Sequence, residues 1–132
     1  MLGETRETGP DSQQLPDVFD RNCPSRTVME HVVGKWSVLS LSALRQRPMR
    51  FNALRRRVTG VSEKMLAQTL HNLERDGFVR REVLTSIPPH VEYSLTPLGQ
   101  RVAATVLDLV GLLESTLDET TTAQEAYDNR AA

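Results

Sequence analysis

The sequence predicts a mainly α-helical domain carrying one small β-hairpin. Three observations lead there. Between residues 24 and 76, helical spacing of apolar residues alternates with strong helix-end signals. The run "HVEYSLT" then alternates apolar and polar residues, as a half-buried strand does. A long amphipathic stretch follows Thr96 and Pro97 and closes the pattern.

Taken in order, residues 1–17 are rich in Gly, Pro, Ser, Gln and acids, with almost nothing to bury, and are expected to be a disordered tail. The first helix should start at Pro24, since a missing N–H costs nothing in the first turn. Val28, Val32 and Val33 give it an inward face, and Gly34 ends it. "KWSVLSLSALRQ" makes the second helix, with Trp36, Leu39 and Leu44 among its apolar residues, and Pro48 forbids its continuation. "MRFNALRRRV" starts a third, short helix after Phe51, and "TG" at 59–60 makes a turn. In "SEKMLAQTLHNLERDG", Ser62 is a good N-cap and Gly77 a good terminator. Leu66, Leu70 and Leu73 share one face of this fourth helix, while Lys64, Gln68, His71 and Arg75 fall on the opposite one, a basic and amide-bearing stripe with no carboxylate.

"FVRREVL" and "HVEYSL" pair as strands, joined by "TSIPPH", whose prolines stiffen an exposed tip. The last helix restarts at Thr96-Pro97 and runs to about Leu117, with Val102, Val106, Leu109, Val110, Leu113 and Leu117 on a wide apolar face. Residues 18–119 are therefore expected to form one domain, and residues 120–132 a flexible C-terminal tail, with the first part of "DETTTAQEAYDNRAA" able to prolong the last helix.

Helix, helix, short helix, capped helix, hairpin and long helix make a winged helix-turn-helix with a long C-terminal dimerisation helix. Such an arrangement suits double-stranded DNA. A helix fits the major groove, where its N-terminal half meets base edges. That half offers Ser62, Lys64 and Gln68, with Thr69 and His71 following. Gln pairs with adenine and Lys reaches guanine acceptors. Arg50, Asn52, Arg55 and Arg56 on the preceding helix can hold phosphates, which set register without reading sequence. Pro89 and His90 at the wing tip can approach the flanking backbone or minor groove.

The charge distribution agrees. The net charge is only −1, yet residues 45–81 hold ten Lys and Arg (Arg45, Arg47, Arg50, Arg55, Arg56, Arg57, Lys64, Arg75, Arg80 and Arg81) against three acids, Glu63, Glu74 and Asp76. Both ends are acidic. A basic middle of this kind is a footprint for a polyanion. The last helix has more apolar face than one small body can cover, which predicts a homodimer. Its two recognition helices would face successive major grooves about 34 Å apart.

Other classes find little support. No apolar run is long enough to span a membrane, and the N-terminus has no apolar core of a secretory signal, so no membrane partner is expected and the location should be cytoplasmic. His31, His71 and His90 make no metal spacing with Cys23, and there is no glycine-rich phosphate loop. Neither an enzyme, a metal nor a cofactor is expected. A winged helix used for protein recognition remains open, and so does a regulator controlled by a small molecule at the dimer interface.

The Cys-Pro start, "GKW", "RFNALRR", "SEKMLAQTLHNLERDG" and "PPHVEYSLT" followed by "LG" together resemble the HxlR-type group of bacterial winged-helix regulators within the MarR-like proteins, over about residues 22–115. The resemblance implies a homodimer on palindromic operators near the genes it controls, most simply as a repressor. The N-terminal tail extends beyond the usual family start.

Cys23 is the only cysteine, so no intrachain disulfide can form. With Pro24 as the first helical residue, Cys23 sits at the N-cap. The helix dipole and nearby Arg21 or Arg26 would favour its thiolate, the form that oxidants and electrophiles attack. Several members of the group that the chain resembles sense oxidants, quinones or aldehydes with the cysteine at this Cys-Pro position, which Cys23 matches. The resemblance thus implies a redox- or electrophile-sensing thiol. Any disulfide would have to join Cys23 to a partner's Cys23 or to a small thiol.

Overall fold

A computed structural model describes residues 17–131, and the proposed N-terminal tail lies almost wholly outside them. The chain runs α1 (Pro24–Val33), α2 (Lys35–Gln46), β1 (Met49–Arg50), α3 (Phe51–Arg57), α4 (Glu63–Arg75), β2 (Val79–Leu84), β3 (His90–Leu95), α5 (Pro97–Ser115) and α6 (Leu117–Ala131). This is the mainly helical winged arrangement that the sequence predicts. The hairpin β2–β3 pairs in antiparallel register from Val79↔Leu95 to Leu84↔His90. It gains an edge strand, β1, through Met49↔Tyr93 and Arg50↔Glu92, giving the order β1-β3-β2. Two residues carry no periodicity, so the sequence does not announce β1.

The core lies where α2, α3 and α4 meet. Leu41, Leu44, Leu54, Leu66, Leu70 and Leu73 are all fully buried there. Val32 of α1 and Ala103 and Val106 of α5 close it. Helix ends follow local chemistry. Ser62 Oγ accepts from the Met65 N–H at 3.1 Å. At the other end of α4, Phe78 N–H donates to Leu73 O (2.9 Å) and Gly77 N–H to Glu74 O (3.0 Å), the paired bonds of a Schellman motif. Gly77 takes φ +87°, which an L side chain rarely adopts. Thr96 accepts from Gly99 N–H (2.9 Å) and donates to Gly77 O (2.6 Å), so one hydroxyl caps α5 and ties it to the end of α4.

Two expectations change. Val33 is exposed, not inward: α1 turns Val28 and Val32 to the body, and Val33 follows about 100° further round. On α2, Leu39 is exposed and Leu41 is fully buried. The C-terminal segment is helical over Leu117–Ala131, where a flexible tail was expected from residue 120. Asp118 and Glu119 in its first turn and Arg130 in its last suit the helix dipole. No residue of α6 is buried, so the segment lacks the apolar stripe by which a helix is read from sequence.

Candidate nucleic-acid interface

The turn 58–62 brings α3 against the start of α4, and the wing folds back beside α3. Arg50, Asn52, Arg56 and His90 line one surface cleft. Asn52, Arg55 and Arg56 line an adjoining one with Glu63. Residues from β1, α3, α4 and β3 thus form one cationic surface. Arg50, Asn52, Arg55, Arg56, Ser62, Lys64, Gln68, His71 and Pro89 are exposed, and His90 is half-buried.

Thr69 departs from the expectation. It is buried at 7% exposure, because it lies about 100° round the helix from Gln68, on the side of Leu66 and Leu73. It packs α4 against the body of the domain and presents nothing outward. Two residues that the sequence did not single out belong to the surface. Gln68 Nε2 donates to Asn72 Oδ1 at 3.1 Å, which holds the amide along the helix. Met65, 45% exposed, adds an apolar contact near Lys64, of the sort that meets a thymine methyl. Their i, i+4 and i, i+1 spacing from Gln68 and Lys64 is the signal that could have found them.

Carboxylates also stand outward on α4, at Glu63 and Glu74. Glu63 is occupied by Arg55, Nη1 to Oε1 at 3.3 Å, with both side chains well exposed. Such a pair contributes at most about 1 kcal/mol and is readily exchanged for a phosphate.

Cys23 lines neither cleft; it is the N-cap of α1 and is half-buried. Desolvation pushes its thiol pKa up. Hydrogen bonds from the backbone of Arg26, Ser25 and Asp17, with the Ser25 side chain, outweigh this, so the net shift is downward. The lowering comes from these hydrogen bonds at and just before the start of the helix, not from a guanidinium. Arg26, one of the two expected charge partners, donates from Nη1 to Phe19 O at 3.1 Å and faces Glu30 from Nε at 3.7 Å.

Away from both places, α5 leaves Leu109, Leu112 and Leu113 more than half exposed, with Leu117 just beyond it at the start of α6. Beside them, Val33, Leu98, Val102 and Leu109 line an apolar groove of about 500 Å³ between α1 and α5. No helix among the described residues is long and apolar enough to cross a membrane.

The chain is similar to known transcriptional regulators. The HxlR-like helix-turn-helix model matches residues 31–121. The HTH-type transcriptional regulator YtfH of Escherichia coli K12 is 53% identical over 110 residues, covering 82% of this chain and 87% of the relative. The solved structure of YtfH from Salmonella typhimurium superposes with a TM-score of 0.79 at 49% identity, covering 84% of this chain and 99% of that one. The redox regulator HypR in its oxidised form superposes with a TM-score of 0.64 at 36% identity, over 70% of this chain and 96% of that one.

Proposed function

The chain belongs to the HxlR-like helix-turn-helix family of transcriptional regulators, and from that premise we propose that it is a cytoplasmic homodimeric repressor of a palindromic operator, switched by oxidation or electrophile attack at Cys23. The observation that carries DNA reading is the exposed stripe Lys64, Gln68 and His71 on α4, flanked by Arg50, Arg55 and Arg56 and by the wing. Lys64 and Gln68 read base edges, the arginines and Asn52 hold phosphates, and Pro89 and His90 reach the flanking backbone. The exposed leucines of α5 support a two-fold pairing that buries them. The half-buried Cys23 with a lowered pKa supports the thiol switch, and the likeness to a regulator solved in oxidised and reduced forms points the same way.

Fluorescence anisotropy on DNA from upstream of the protein's own gene tests this. Wild type binds tightly when reduced and loses affinity after diamide, while Cys23→Ser binds alike in both states. Tight binding indifferent to diamide removes the switch and turns attention to the apolar groove between α1 and α5, whose volume suits a small ligand. Failure on every DNA favours a protein partner instead.

The roles on the surface separate by substitution. Arg56→Glu weakens binding to all sequences alike and flattens the log–log salt dependence by about one unit. Gln68→Ala leaves non-specific binding in place and relaxes sequence preference by about 1–3 kcal/mol. Unchanged preference in Gln68→Ala would move the reading face elsewhere on α4.

A further inference from the structure

The recognition helix ends on a carboxylate where helix electrostatics disfavour one. Asp76 is the C-cap of α4, at the negative end of the helix dipole, and its side chain is only 8% exposed. Burying an unpaired charge is far more costly than leaving it in water, so this group needs a donor. The donor comes from a different helix. His31 Nδ1 lies 2.5 Å from Asp76 Oδ2, across 45 residues of sequence. His31 stands in the last turn of α1, its own side chain 21% exposed. Donor and acceptor are thus both shielded, the setting in which a hydrogen bond to a carboxylate is strong and directional.

The rest of α1 is held less specifically. Val32 is its only buried residue, and an apolar contact tolerates sliding in a way that a short hydrogen bond does not. α1 therefore carries Cys23 at its N-cap and, in its last turn, the side chain that grips the end of the recognition helix. A single short helix moves as a rod, so a displacement at one end is felt at the other.

We propose that His31 is a positioning residue for DNA reading: through Asp76 it sets the C-terminal end of α4 relative to α1, and a change at Cys23 reaches the recognition helix through this contact. The coupling to Cys23 rests on the thiol-switch reading above, whereas the positioning of α4 does not. The contact touches neither DNA nor thiol, and acts by fixing the tilt at which Lys64 and Gln68 meet the groove.

The test uses the full chain, a labelled operator duplex, a scrambled duplex of equal length, and diamide as oxidant. Variants are His31→Leu, which removes the donor, and His31→Asn, whose amide N–H replaces it at similar reach. In the reduced state His31→Leu binds operator about tenfold more weakly, the discrimination of roughly one good base contact. It holds the scrambled duplex as wild type does, and His31→Asn recovers most of the loss. After diamide, wild type loses operator affinity while His31→Leu keeps its reduced value. An unchanged operator-to-scrambled ratio in His31→Leu, or an equal loss on both duplexes, overturns the positioning role. A full diamide response in His31→Leu overturns the coupling. If wild type ignores diamide, the thiol switch falls and the coupling with it, and the reduced-state ratio alone decides the positioning. Should His31→Leu fail to fold by circular dichroism, Asp76→Asn is read by the same ratio, since it keeps the shape and removes the charge.

Discussion

Gly99→Ala destabilises the domain by ~3 kcal/mol or more, enough to remove much of the stability of a domain of this size. At an open helical position the same change stabilises by up to about 1 kcal/mol, so the sign itself is diagnostic. Gly99 is buried in the first turn of α5. A Cβ there would stand 1.9 Å from Phe78 O, 2.8 Å from Phe78 C and 3.1 Å from Phe78 Cα. These are backbone atoms with no rotamer to yield. Phe78 O also accepts from Thr96 N–H at 3.1 Å, and Phe78 N–H closes the motif that ends α4. Making room means pulling α5 from the end of the recognition helix and breaking the Thr96 bridge with it. Urea melts check this, with Gly111→Ala on the same helix as control. That position has nothing within 4 Å of an added Cβ and should be neutral or slightly stabilised. A wild-type midpoint for Gly99→Ala would mean that the helix does not approach Phe78 this closely.

The second large effect concerns assembly. Leu109→Asp with Leu113→Asp converts the proposed dimer to a monomer and weakens operator binding by roughly 100-fold or more, because two linked half-site contacts become one. Leu109 and Leu113 are 54% and 58% exposed in the single chain, and Leu112 and Leu117 beside them are 58% and 59% exposed. Fully burying an exposed leucine contributes about 1.5–3 kcal/mol, so each of these half-exposed ones contributes roughly half of that, and a two-fold buries each one twice. Charges at two such positions would face their symmetry copies across an apolar interface, at a cost that few leucines can offset. Sedimentation equilibrium reads the mass and anisotropy the affinity. Since both residues are exposed in the monomer, the fold should survive, with an unchanged circular dichroism spectrum. A dimeric double variant would place the interface elsewhere, and a monomeric wild type would remove it.

Much of the fold was legible because its helix boundaries are set locally. Pro24, Ser62, Gly77 and the Thr96-Pro97 pair act on backbone groups within a few positions of themselves, and each marks a boundary the structure keeps. The leucine spacing of α4 foretold its buried face for the same reason. α6 shows the converse: with no buried residue it has no apolar spacing to read, and only the helicity of its first part was foreseen. The surface was legible in outline as a cationic cluster with an amide on the reading face. Its details were less so. Thr69 looks outward as a residue type and inward as a helical position. Arg55 looks free until Glu63 is set 3.3 Å away.

What the sequence determined by itself is the order of elements, most of their ends and the segment that holds the charge, since these depend on short-range chemistry. Only the tertiary structure decided which distant groups meet. β1 exists because Met49 and Arg50 find Tyr93 and Glu92. Gly99 has no room for a Cβ because the Phe78 backbone passes against it. Asp76 is tolerable because His31 arrives from α1. Each of these is a contact through space between segments far apart in the chain, and neither residue type nor periodicity records which partner packing will bring within reach.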